Sequence, residues 1–428
     1  MSVTLENPSF AKAHEVFQGA QPNASLDSIR LSGVAGFNRL GLPTRRLEEW
    51  RYTNLKTIAK SEFQLSQPGL EKLGETEALP GLDAYSVTVR DGVFQSCSDS
   101  LPEGVSVVSL AQGHSLVSNV LGKLVESEDA MTALNTAFLE AGVVVHVAKG
   151  TSIEKPLHLD WVVSQGHENV ALHPRLVVVL EDNAHLNIIE TYRGVNESTY
   201  LNNIVSEIAL GAGANLEHTK LQEESANASH LAQTYVQQNR DSQYRAHLFN
   251  LGAKIGRSAI NLRLMEPGAS CYLGGLYMIA KKQHADVYTK IEHVAPHCNS
   301  QENYKGILDD SATSVFNGYV LVQKEAQKTD SSQQNRNLIL SKNATANTRP
   351  QLEIYADDVK CAHGATVGQL DEDQIFYMRA RGISLEQARS ELTYGFAMDV
   401  LSELKVEAAS VYLEKNIREQ LLNKPVNG

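Results

Sequence analysis

Cys361 and His363 stand two residues apart in QLEIYADDVKCAHGATVGQLDEDQIFYMRARGI, residues 351–383, inside a strand-like, acid-flanked run. Side chains two apart on an extended strand project from the same side, so a thiol and an imidazole placed this way can reach one metal ion. Gly364 follows at once, and a break in the alternation there would part them. Two donors are too few for a closed site. Structural zinc takes four ligands and an ordinary iron–sulfur cluster several thiolates, so a metal here must borrow ligands from elsewhere, which points to a site shared across a subunit boundary. A free cysteine on a strand also serves as a small buried apolar residue, which makes Cys361 the weaker member of the pair.

A second constellation is His293, His297 and Cys298 in IEHVAPHCNSQ. Pro296 and Asn299 mark it as a turn between strands, where polar residues gather for solvation as readily as for metal. Asp309-Asp310 and Asp357-Asp358 suggest paired carboxylates of the kind that act on polysaccharides. Adjacent strand residues point to opposite faces, so solvated turns account for these pairs better. No G-x-x-x-x-G-K-[ST] string occurs, and an ATP-driven process would take its energy from a partner.

The remaining cysteines, Cys97, Cys271 and Cys298, are widely spaced and form no C-x-x-C pair. They match neither a disulfide framework nor a self-contained ferredoxin-type cluster, and they fit a reducing compartment. A net charge of −12 with dispersed Lys and Arg disfavours nucleic-acid binding. The start, MSVTLENPSFAKAHEVFQG, has no charged region followed by an apolar core, and no later apolar run approaches the ~20 residues that span a bilayer. These features lead to an expectation of a cytoplasmic protein without membrane or nucleic-acid partners.

The elements that position these residues change character along the chain. Residues 1–75 read as an N-terminal helical region in which GLPTRRLEEWRYTNL carries Trp50 and Tyr52 as anchors against the body. Residues 76–139 form a mixed transition segment. From 140 to 370 short apolar runs such as VVVHVA, RLVVVL, HLNIIETY and NGYVLV alternate with turn chemistry, which reads as strand after strand. A degenerate phrase recurs there: Leu180 to Ala184, Leu210 to Ala214, Met265 to Ala269, Leu308 to Ala312 and Leu340 to Ala344. Each is an apolar strand end, a polar or Gly turn, and a small corner residue. Ala184/Leu186/Ile188 and Ala269/Cys271/Leu273 then read as inward-facing stripes.

A mainly β protein with a parallel β-helix core accommodates such irregular intervals as loops, and a Greek-key β-sandwich is the competing arrangement. Residues 371–428 form a C-terminal helical domain. Ser384-Leu-Glu-Gln387 has capping-box form, Leu385, Ala388, Leu392, Phe396 and Val400 recur at helical spacing, and a second helix spans about 407–422. These helices either cover the exposed strand edges of the solenoid or dock a partner.

On these residues the chain resembles the SufB/SufD family of iron–sulfur cluster assembly proteins. The strings YKGILDDSATSVFNGYVLVQKEAQKTDSSQQNRNLILS and DDVKCAHGATVGQLDEDQIFYMRARGI carry the resemblance most strongly, and GLPTRRLEEWRY matches the family's entry motif. The resemblance implies a right-handed parallel β-helix between helical ends. It also implies a non-enzymatic scaffold that pairs with the paralogue SufB through the β-helix and carries the ATPase SufC on C-terminal helices at 384–422. It places the histidine of C-x-H-G-A-T, here His363, opposite a SufB cysteine, where a transient cluster or iron is shared and no cofactor is held stably by one chain. Two rivals follow from the residues alone: a carbohydrate-active β-helix enzyme, and a scaffold that works as a homodimer.

Overall fold

Each strand of the core is too short and too apolar to stand alone, and stacking it on a neighbour in parallel register buries its inner face. Residues 5–20, 22–65, 79–98, 100–164, 169–194 and 197–422 are described by the computed structural model. Residues 66–75 of the expected N-terminal helical region, 76–78 of the transition segment and 423–428 of the C-terminal domain lie outside them. The chain winds back and forth between two sheets, one of 11 strands and one of 10 among the described residues. In the first sheet Leu201 pairs with Ser229, which pairs with Ile255, and the ladder continues through His284 and Thr313 to Thr345. In the second His185 leads through Asn215, Gln243, Ser270, Asn299 and Asp330 to Lys360. This is a parallel β-solenoid, as the strand pattern leads one to expect, and not a sandwich of antiparallel keys.

The recurring phrase marks the corners. Leu180 and Leu210 close strands of the first sheet, and His185 and Asn215 open the next strands in the second. Asn183, Gly213 and Gly268 turn the chain through the left-handed region (φ 56°, 67° and 76°), each just ahead of a corner alanine. Ala184, Ala214 and Ala269 are fully buried there. The stripes Ala184/Leu186/Ile188 and Ala269/Cys271/Leu273 face the interior and join one continuous apolar core.

The two ends of the coil differ. At the N-terminal end Val93–Cys97 pairs antiparallel with Tyr85–Arg90, and Val105–Ser109 pairs antiparallel with Gly142–Val147, so the parallel stack terminates in reversed strands. At the C-terminal end Thr345–Ile354 and Lys360–Gly368 are the last strands of their sheets, each with a sheet neighbour on one side among the described residues.

Helices cover the outer faces and leave this end open. The N-terminal helices Ala11–Gly19 and Asp27–Leu40, with Ala130–Ala137, pack Phe10, Phe37, Met131 and Phe138 on Ala171, Leu201, Leu231 and Ile255 of the first sheet. Trp50 is buried, with the Arg257 guanidinium 4.0 Å from its ring centre, whereas Tyr52 is exposed. On the other side Leu385–Leu401 and Glu407–Leu422 lay Ala397, Val400, Leu401, Leu413 and Ile417 on Leu221, Phe249, Leu276 and Ile307 of the second sheet. The Ser384 hydroxyl accepts the Gln387 amide at 3.1 Å, as the capping-box spacing leads one to expect. Of the periodic residues, Ala388 and Val400 are buried, Leu392 and Phe396 half-buried and Leu385 exposed. The inner stripe turns slightly, through Thr393 and Ala397. The reading of these helices as a cover for the solenoid end does not hold, because their apolar stripe matches the flat outer face of the sheet.

Candidate functional site

Cys361 pairs with Ser331 and His363 with Gln333, and the register runs unbroken through Gly364 to Gly368. No bulge intervenes, so the thiol and the imidazole share one face. One coil below, Ser331 and Gln333 pair with Ser300 and Glu302, and a further coil below with Cys271 and Leu273. All six of these residues are buried, which identifies the shared face as the solenoid interior. Because no coil follows, that interior is open above the last strand: Cys361 is half-buried and His363 exposed.

The coils beneath the pair are polar inside, as is the interior nearer the N-terminal end, where the buried Glu190 carboxylate meets His218 and Lys220. His293 Nε2 lies 2.9 Å from Ser300 Oγ, which donates to Ser331 Oγ at 2.8 Å. The Gln333 side-chain amide donates to the Glu302 carboxylate. Asn335 donates to Tyr277 Oη at 3.0 Å, and Tyr277 donates to Asn337 at 2.6 Å. Burial raises Glu302 to about 7, against the pull of hydrogen bonding from Thr289 and Gln333. Burial lowers His293 to about 4, so this imidazole is neutral at physiological pH. Burial, with the Asp330 charge nearby, raises the Cys361 thiol and keeps it protonated. A metal taking Cys361 as ligand would therefore have to displace a proton, whereas a neutral imidazole offers a lone pair directly.

The other constellation disperses. His293 is inside the coil, His297 sits exposed on a corner with φ 60°, and Cys298 is fully buried with its sulfur 3.4 Å from the Glu266 carbonyl oxygen. The Asp pairs lie at turns. Asp310 occupies a corner with φ 51° and its carboxylate accepts from the Lys281 amide, while Asp358 pairs with Lys328. Among the described residues no three His, Cys, Asp or Glu side chains converge as a metal site. Sequence reasoning missed Ser331, Gln333, Asn335 and Glu302. The signal for the first three was the alternation Ser331, Gln333, Asn335, Asn337 at period two in DSSQQNRN, a strand pattern written in polar letters.

The chain is thus a parallel β-solenoid with helices on both flanks and a cysteine–histidine pair at one open end. Residues 162–396 match the SufBD core domain of the SUF system for FeS cluster assembly, and residues 9–159 match the SufBD protein N-terminal region. The chain belongs to the SufBD family of iron–sulfur cluster assembly. It is 33% identical over 392 residues to the iron–sulfur cluster assembly protein SufD of Escherichia coli, covering 90% of each chain. It is 34% identical over 406 residues to a SufBD family protein of Synechocystis, again covering 90% of each. Identity to the SufD protein of Bacillus subtilis is 28%, covering 96% of each.

Proposed function

We propose that this chain is a non-catalytic scaffold subunit that works with the paralogue SufB and the ATPase SufC, and that His363 contributes a donor to a nascent cluster at the boundary with SufB. The observation that carries the reading is the exposed His363 on the inner face of an edge strand at the one end where the parallel coil stops without a closing strand. A paralogous solenoid stacked end to end there would bring its own ligands to the two that this chain offers. The cluster is cargo, completed by donors from both chains and passed on. Cys361 is the secondary donor, because its thiol must first lose a proton.

The C-terminal helices, 384–422, are the proposed dock for the ATPase. Tyr412 and Asn416 both donate to Glu223 at 2.8 Å, and Lys305 pairs with Asp399 at 2.7 Å, so a pull on these helices is transmitted to the second sheet. Val411 on the last helix is largely exposed. The unbridged thiols of Cys271, Cys298 and Cys361 accord with a reducing, cytoplasmic setting. Among the described residues no helix is long and apolar enough to cross a membrane.

Native mass spectrometry of the purified complex, with iron and sulfide analysis of wild type and His363→Ala, tests the proposal. Intact complexes with several-fold less iron and sulfide are expected from the variant. Cluster delivery at the wild-type level by His363→Ala would remove the claim. The homodimer reading shares the same open edge, and it is separated by what co-purifies: a stoichiometric ATPase and paralogue, or a second copy of this chain.

A further inference from the structure

Gln333 and Glu302 occupy the two rungs directly beneath His363 on the interior face of the second sheet. Both are almost wholly buried, at 1% exposure. The Gln333 nitrogen donates downward to Glu302, which turns the amide oxygen away from that carboxylate. This oxygen is buried and has no hydrogen-bond partner, His363 included, so a turn of the His363 side chain is what would bring a ring N–H onto it. An unpartnered buried carbonyl is costly, so the site favours any donor that can reach it. The residue one rung above in the same column is His363, about 4.8 Å away along the sheet, and a neutral imidazole carries one N–H donor and one lone pair.

We infer that Gln333 is a positioning residue for His363: its side-chain oxygen accepts one ring N–H, Glu302 holds the other end of the amide, and the second ring nitrogen presents its lone pair to the open edge. The arrangement resembles the general practice of fixing a ligating imidazole through its non-ligating nitrogen, which selects the tautomer and limits rotation of the ring. It explains why a strand as polar as DSSQQNRN is buried. On the strand beneath the edge, one acceptor, the Gln333 oxygen, is left over, where an apolar side chain would leave the imidazole free to spin. Neighbours on the same strand do not compete for the role. Ser331 is engaged with Ser300, and Asn335 with Tyr277.

The inference concerns what holds His363, and rests on the proposed function only for its purpose. Its test needs neither iron nor a partner. Full-length chain labelled with 15N-histidine reports the ring tautomer of each histidine, and the His363 signals are those lost in His363→Ala. Wild type and Glu302→Gln, which keeps an acceptor for the Gln333 nitrogen, are expected to show one dominant His363 tautomer. In Gln333→Leu the tautomer ratio is expected to move by up to about tenfold toward that of a free imidazole, the equivalent of one lost hydrogen bond. Gln333→Met, closer in length and apolar, gives the same readout should the leucine variant fold poorly. An unchanged His363 signature in both variants, or a mixed one in wild type, overturns the inference. Normal cluster delivery by His363→Ala would remove the ligand reading, while a shifted signature in Gln333→Leu would still establish the hydrogen bond.

Discussion

Gln333 donates its side-chain amide to Glu302 one coil below, within the interior of the solenoid, although the two lie on different strands and meet only through the register of the coil. Burial of the Glu302 carboxyl sets a specific pH behaviour. Glu302 is held at about 7, above the ordinary 4.5, so the folded chain binds this proton more tightly than the unfolded chain. Folding is therefore favoured below the ordinary value and loses stability as pH rises through 7. Full ionisation costs roughly 3 kcal/mol. Glu302→Gln removes this loss: denaturation midpoints of variant and wild type should converge near pH 5 and separate at pH 8, with the variant the more stable.

Cys361→Ser keeps the size of the side chain and removes the soft donor. It should lower iron and sulfide in the assembled complex less than His363→Ala does, since the thiol is held protonated and the imidazole is the readier ligand. Side-by-side metal analysis of the two variant complexes ranks the donors. A larger loss with Cys361→Ser reverses the assignment.

Trp50→Ala should loosen the segment that straps the N-terminal helices to the first sheet. The indole is buried at 3% exposure beneath Arg257, and its loss costs about 3–5 kcal/mol. Limited proteolysis within 41–55 should accelerate well before the solenoid itself unfolds, and equal cleavage rates in the two chains would show that the strap holds without the ring.

Pro350 lies on Thr345–Ile354, the last strand of the first sheet, where a residue without an N–H is tolerated. Its presence withholds one donor from the ladder. Pro350→Val restores it and should increase self-association of the isolated chain. Sedimentation velocity over a concentration series measures this, and unchanged association would mean that the proline does not guard the edge.

The solenoid was legible where side chains alternate with period two between apolar and polar, as at Ala184, Leu186 and Ile188, because local pattern and burial coincide there. The Cys361/His363 spacing was legible for the same reason. Gln333 and Glu302 were not, since nothing local distinguishes a polar strand buried between coils from a polar loop. Their burial comes from rungs about thirty residues away in sequence, a register that only the stacked chain sets. The helices 385–401 and 407–422 were visible as helices, but an apolar stripe does not say which flat or open surface it will meet. That is decided by Leu221, Phe249, Leu276 and Ile307, which are outward-facing residues of strands whose inward faces drew attention first.

The unlike ends of the coil also limit how large an assembly can grow. A repeat protein with two matching open ends adds copies head to tail and becomes a filament. Here the described stack ends on one side in the reversed strands Val93–Cys97 and Val105–Ser109 and on the other in the parallel strands Thr345–Ile354 and Lys360–Gly368, so the two ends do not match. On the proposed reading, two chains joined through their parallel edges would pair like with like, whether the second is a paralogue or another copy, and would leave the reversed strands outermost.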